Sequence, residues 1–435
     1  MNTSSSLMKP RQHGAATLVV VMVLFLVMAL LAAYANRSLL FEQRVAGSYY
    51  RSSLSQEVAE AGVEWTLAQL NGNAMDNACK PVDSAGQRFA DKYVLVNPAD
   101  RTISSKVTDG LGVIDCARDT GNEGWSCRCP AADSAHTARA AAATNELTPS
   151  FAVQLEAGKR GGTMALKVRG CTDSVPDSCG GVGGVAIADI SKAQLAKTSL
   201  TVLVGLVSAV RSPPAAPLVV KGGIVSTGVG GLGLHNADAR SAGMLATLGG
   251  AWTGIIDTRL ETVPGANGSQ AVVQADPTLL NADAQEVFKM FMGTSVARYP
   301  QHPAARTLSC DGDCGPALEA AYTAGQRIVW VEGDLTLSSN KVLGSVSDPL
   351  LIVVNGAVTL TGPFQLNGML VSTGGLGWTN TSGMTSLVNG IVLVGGDMAT
   401  AGRVDIVYQQ TVADHVRNRL GSYVRVPGGW NDSTN

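Results

Sequence analysis

The sequence predicts an α+β protein: one long N-terminal helix whose first half spans a membrane, then a mainly β exported head built as a small β-solenoid (β-helix), with a β-sandwich as the alternative. Three observations predict it. Ala15–Ala35 holds no charged residue and follows a basic stub. The helical pattern continues without proline from Arg37 to Leu70. Beyond Arg211, short Val/Ile/Leu runs alternate with glycines.

The uncharged stretch comes first in the chain. A run of about 20 apolar residues crosses the hydrocarbon core as a helix. Lys9, Arg11 and His13 precede it with no acidic residue. The positive-inside rule therefore leaves the stub cytoplasmic and exports everything after Asn36. A secretory signal is the alternative, but the run is long for such a segment and no A-x-A site closes it. The next stretch is amphipathic. Leu40, Val45, Leu54, Val58, Ala61, Trp65 and Leu67 form an apolar stripe, with Glu42, Arg44, Arg51, Glu57, Glu60 and Glu64 on the polar side. Asn71-Gly72-Asn73 ends it with residues that tolerate left-handed backbone. One helix over 15–72 would be a rod of about 80 Å. Such a rod suits a subunit that packs one half in a bundle and carries a head on the other. A plain anchor with a juxtamembrane helix is the alternative.

At these residues the chain resembles a family. Arg11-Gln12-His13-Gly14-Ala15-Ala16-Thr17-Leu18-Val19 is similar to the cleavage region of type IV prepilins, and Ala59-Glu60-Ala61-Gly62 to an element of PilX-type pilus assembly proteins. The resemblance implies a leader at 1–14, cleavage by prepilin peptidase between Gly14 and Ala15, and methylation of the new amine. It further implies a low-abundance minor pilin that primes or caps the type IV pilus at or near its tip. Its partners would be other minor and major pilins and the inner-membrane assembly platform. It would sit as a single-pass inner-membrane protein with its bulk in the periplasm, and then at the pilus or cell surface. Major pilins carry Glu at the fifth mature position, where this chain has Val19. An unpaired carboxylate in lipid is costly, so a subunit with no neighbour to satisfy one does better without it. The same departure resembles the tip pseudopilin of type II secretion. Helix packing would fall to Val19, Val23, Leu26 and Leu30, in the stripe that runs to Leu31.

Residues 73–210 read as a cysteine-bearing region, irregular at first, with strands at Met164–Val168 and Leu200–Val207. All eight cysteines follow residue 70, which fits an oxidising compartment. Cys171 with Cys179 and Cys310 with Cys314 are close pairs. The pairing of Cys79, Cys116, Cys127 and Cys129 stays open. Zinc is the rival reading, but there is no CxxC pair and no histidine at ligand spacing.

Residues 211–435 read as a Gly-rich repetitive β domain after the Pro213-Pro214 boundary. The runs are Leu218–Val220, Ile224–Val225, Ile328–Val331, Leu335–Leu337, Leu350–Val354, Val358–Leu360, Met369–Val371 and Ile391–Val394. Gly223-Ile224-Val225-Ser226-Thr227-Gly228 looks like a copy of the stretch from Met369 to Gly374. Short strands between glycine turns suggest stacked coils. A helix at Asn281–Met292, stopped by Gly293, lies on the sheet surface, and a last helix spans about Gln409–Leu420. Tyr408 and the tail Ser422–Trp430 resemble the closing segment of the PilX-like family.

Enzymatic chemistry finds little footing. Gly228-Val229-Gly230-Gly231-Leu232-Gly233 matches GxGxxG in letters, but no helix start follows, so turns explain it better than a cofactor. His13, His136, His235, His302 and His415 form no ligand pattern, and there is no GxSxG elbow. His235 and His415 read as surface or cap residues. Asp311-Gly312-Asp313 is too short for an EF-hand. No catalytic, cofactor or metal residue is assigned. The second functional reading is a membrane-tethered carbohydrate-binding or carbohydrate-cleaving module. It would need a charged row on one solenoid face, or a groove lined by Trp252, Trp330 and Trp378. The formal charge of -2 gives no field for nucleic acid.

Overall fold

A computed structural model describes residues 14–83, 86–108, 111–119, 124–140, 147–180, 195–254 and 258–431. Residues 1–13 of the expected leader, with Lys9, Arg11 and His13, lie outside the described residues.

Helix α1 runs unbroken from Gly14 to Leu70, 57 residues or about 85 Å. Its two halves have different surroundings. No part of the head covers the first half. From Ser55 onward the buried positions are Ser55, Val58, Ala59, Gly62, Val63, Thr66 and Leu70. This corrects the expected stripe: Leu54, Ala61, Trp65 and Leu67 flank the contact and stay half-buried. Close approach to a sheet is the reason. A Cβ on Gly170 would lie 2.2 Å from the Ser55 carbonyl oxygen, and one on Gly62 would lie 2.6 Å from Val168. At that distance small residues face the sheet and large ones wedge in at the sides.

The sheet beneath α1 is antiparallel and six-stranded. Its order is Gly421–Asn431, Lys197–Ser208, Thr163–Cys171, Ser150–Ala157, Ile114–Arg118, Trp125–Arg128. Met164, Leu166 and Val168 point inward, as their period of two requires, and pack with Phe151, Val202, Val204 and α1. The region 73–210 is thus more regular than expected. Cys116 and Cys127 sit opposite each other in a hairpin and are bonded; Cys79 pairs with Cys129, Cys171 with Cys179, and Cys310 with Cys314.

The end of the chain joins this sheet. Gly421–Asn431 pairs antiparallel with Lys197–Ser208, setting Val424 beside Gly205. The predicted second domain therefore loses its last strand to the first sheet. Edge strands need a backbone partner, and the nearest open one is about two hundred residues upstream in sequence.

Between these two strands the chain forms stacked parallel coils. Val329, Ile352, Leu370, Val392, Leu218, Ala246 and Val272 form one inward column across neighbouring strands. On the second, six-stranded sheet Leu335, Val358, Leu376, Met398, Ile224 and Trp252 form another. Every pairing in both columns is parallel, which a β-sandwich would not give. All eight apolar runs read from the sequence are strands. The expected repeat is corrected, however. Ile224 belongs to the second sheet, whereas Met369 belongs to the first, whose true counterpart of Leu370 is Leu218. The shared unit is strand, Gly-Gly turn, strand: a Cβ on Gly250 would lie 2.8 Å from the Gly223 nitrogen in the next coil. The first coil in sequence, from Leu218, stacks on the last, from Ile391.

The inserted helix is two helices, Pro277–Asn281 and Ala284–Met292. Asp283 and Glu286 form a capping box, and Gly293 ends the second helix in left-handed backbone. Val287, Phe288 and Met292 pack on the coil surface with Trp330. The last helix is Gln410–Asn418. An ion network joins the two parts of the head: Arg88 to Asp91 (2.6 Å), Arg327 to Asp348 (2.7 Å), and the longer pairs Arg88–Asp348 and Arg419–Asp91. Burial alone would raise the Asp348 carboxyl, but Arg327, Arg88 and Arg419 hold it below its usual range.

Candidate functional site

The first half of α1 is the most unusual surface of the molecule. Val19, Val23, Leu26 and Leu30 share one helical face, and each is more than half exposed. Val20, Val21, Leu24, Phe25 and Val27 on the other faces are also exposed. The structure thus does not single out the four expected packing residues. A helix apolar all round belongs inside a membrane or a bundle. The best 18-residue window has mean hydropathy 3.0, none of it buried by the rest of the chain. From Ala16 to Ala35 the rise is about 30 Å, the thickness of a hydrocarbon core. Tyr34 and Arg37 close the apolar stretch. Gly14 opens the described helix and is exposed. Among the described residues α1 is the one helix long and apolar enough to span a membrane.

The other end of the rod is wired into the head. The Asn71 side-chain oxygen accepts from the Tyr423 backbone N–H (2.8 Å). Its amide nitrogen donates to the carbonyls of Tyr423 and Leu67 (2.9 Å each). Arg306, in the end strand Ala305–Leu308 of the stack, donates to the Asn71 carbonyl (3.0 Å). Ala74 donates to the Ala324 carbonyl (2.9 Å). In the sequence Asn71 reads only as a helix stop; the partner 352 residues away leaves no local signal.

The remaining candidates resolve as follows. Gly228, Gly230 and Gly231 all have positive φ in the turn before strand Leu232–His235, and no helix opens there. Trp252, Trp330 and Trp378 are buried, so they line no groove. The Asp313 carboxylate accepts from the Gly315 and Ser338 backbone N–H groups (3.1 Å each), which makes it a turn anchor. His415 is buried, not a surface residue, and its Nδ1 donates to the Val346 carbonyl (3.0 Å).

His235 is also not a plain surface residue. Its Nε2 meets Asp405 (3.0 Å) and its Nδ1 meets Glu261 (2.8 Å), while Arg259 binds Asp405 (2.6 Å). Asp405, Gly233 and Arg259 are in register on three successive strands, and the glycine leaves room for the pair to close over it. The hydrogen bond to Asp405 raises the His235 pKa against burial, with Glu261 adding to the rise. This charged row lies on one solenoid face with its groups bonded to one another. Another face carries none: Thr336, Thr359, Gly377, Ala399, Val225 and Thr253 form its outward row.

Residues 13–64 match the family model described as PilX N-terminal. No curated protein and no solved structure matches the chain. The match covers the apolar half of α1 and the start of its contact with the sheet. Residues 13–64 are thus similar to the N-terminal domain of PilX-type proteins, and the match is confined to this segment.

Proposed function

We propose that this protein is a minor subunit of a type IV pilus, built to prime or cap the fibre at or near its tip. Its role is structural rather than catalytic. The observation that carries the reading is the apolar half of α1, exposed on every side while the last turns of the helix, from Ser55, are packed into the head. In the inner membrane that half is an anchor; in a fibre the same surface packs against the helices of neighbouring pilins. The leader stays in the cytoplasm and the head faces the periplasm. Prepilin peptidase cuts between Gly14 and Ala15, and the mature chain begins without a glutamate at its fifth position, Val19. Such a subunit has no carboxylate to offer a neighbour's amine, which suits low copy number at an end of the fibre. The disulfides brace the head against load.

The test is the amino end of the mature protein in cells with and without prepilin peptidase. A start at Ala15 that depends on the peptidase supports the reading. An intact leader in both backgrounds would sink it. Val19 also favours a second reading, a tip subunit of a type II secretion pseudopilus. Deletion separates the two: loss of surface pili with secretion intact supports the pilus, and the reverse supports the pseudopilus.

A further inference from the structure

We propose that the head holds an oxyanion-binding cleft, where the end of strand Lys197–Ser208 faces the segment Met292–His302, and that it takes a small carboxylate- or phosphate-bearing group such as an acidic sugar. The cleft measures about 660 Å³, within the size range of small-molecule sites. Arg101, Arg211, Arg298 and His302 line it, and no acidic residue does.

Two buried donors of this lining, Arg101 Nε and His302 Nε2, lack acceptors, and two exposed guanidiniums stand beside them. The side chains of Arg211 and Arg298 are exposed and have no hydrogen bond or ion pair among the described residues. Gly293 sets the position of Arg211: a Cβ there would lie 2.7 Å from the arginine Cδ, so the stem lies across the glycine. Arg101 donates from Nη2 to the Leu206 carbonyl (2.6 Å), while its buried Nε has no partner. Asp100, its neighbour in sequence, accepts instead from Thr102. Arg417 adds a positive charge near Arg101.

His302 supplies the fourth donor. Its Nδ1 is bonded to the Ser422 hydroxyl, which already accepts from the Ala304 N–H (2.7 Å). The hydroxyl has no other acceptor among the described residues, so its proton goes to Nδ1, which places the ring hydrogen on Nε2, buried with no partner. Burial lowers the His302 pKa and keeps this neutral form dominant near pH 7. The Tyr299 ring stacks on His302, and its hydroxyl is committed to the Ala209 carbonyl (3.0 Å). A buried donor without an acceptor is unfavourable. One oxyanion would satisfy these donors together, with guanidinium forks matched to carboxylate or phosphate geometry.

The test uses the full chain in neutral detergent at low ionic strength, titrated calorimetrically with inorganic phosphate and, separately, with D-glucuronate. Saturable one-to-one binding of either probe is expected, weakened about tenfold or more in the Arg211→Ala/Arg298→Ala double variant, with its melting temperature unchanged. Whichever probe binds more tightly identifies phosphate or carboxylate as the source. Arg298→Ala alone, at an exposed position, serves if the double variant fails to fold. No saturable binding of either probe, or binding that the variants leave unchanged, would overturn the proposal.

Discussion

Replacing Asn71 by alanine removes the clamp between the rod and the head. The side chain makes three hydrogen bonds, one from the Tyr423 N–H and two to the carbonyls of Tyr423 and Leu67. Each such bond contributes about 0.5–1.5 kcal/mol net. Asn71 is half-buried, so water can reach part of what is exposed, and the lower half of that range applies. The expected loss is about 2 kcal/mol. Urea unfolding of the full chain in detergent, followed by tryptophan fluorescence, reads it as a lower midpoint at unchanged slope. Asn71→Asp sharpens the test. It keeps the acceptor for the Tyr423 N–H but sets a carboxylate against two carbonyl oxygens, so it costs at least as much as alanine at neutral pH. If Asn71→Ala stays within about 0.5 kcal/mol of the parent and Asn71→Asp is tolerated, the clamp does not join rod to head and the reasoning fails.

Further outcomes follow from the same geometry. Gly170→Val should destabilise the head by about 1–3 kcal/mol or more, because its side chain would collide with the Ser55 carbonyl of α1, whereas the same change at exposed Gly124, where a Cβ meets nothing within 4 Å, should be milder; thermal melts compare them. The His235 pKa is raised in the folded state, so its contribution is fully present below the unfolded value of 6.5 and is lost as pH rises through the folded value. His235→Gln should therefore cost about 1 kcal/mol at pH 5.5 and little at pH 9; an equal cost at both would refute the ion-pair account. Removing the Cys116–Cys127 bond, which closes a loop with a sequence separation of 11, should cost about 3 kcal/mol in the double alanine variant, read by urea unfolding.

Much of the architecture is legible in the sequence because it is written locally. The uncharged run, the period-two strand at Met164–Val168 and the Val/Ile/Leu runs between glycines each follow from their own residues. The inserted helix shows its Gly293 stop, although its start shifts to the capping box at Asp283. What escapes depends on distant partners. The α1 stripe moves to Ser55, Ala59, Gly62 and Thr66 because a sheet lies close on that side, and hydrophobicity alone favours Leu54 and Trp65. The repeat reads one sheet out of step because Ile224-Val225-Ser226-Thr227 resembles Met369–Thr373 in letters while its position in the coil matches Met398. The order of the coils, with Leu218 stacked on Val392, has no local mark.

The site divides in the same way. The membrane-length apolar half of α1 is plain from composition, but Val19, Val23, Leu26 and Leu30 gain no distinction from a structure in which every face of that half is bare. Trp252 and Trp378 point inward because strand phase, not residue type, decides which side faces the core, while Trp330 points outward and is buried beneath the helix Ala284–Met292. The His235, Glu261 and Asp405 group comes together only when three coils stack, and residues so far apart give no motif. His415 reads as polar and exposed in sequence, yet the Val346 carbonyl gives its ring a buried partner.

The claim on which the account depends is that bare apolar helix surfaces meet others of their kind. The most direct measurement places a photo-crosslinking residue at Leu26, at the middle of the apolar half, in piliated cells. The account predicts covalent adducts with other pilin subunits, formed through their N-terminal helices and recovered with sheared fibres. Adducts with lipid alone, in cells that assemble pili normally, would contradict it.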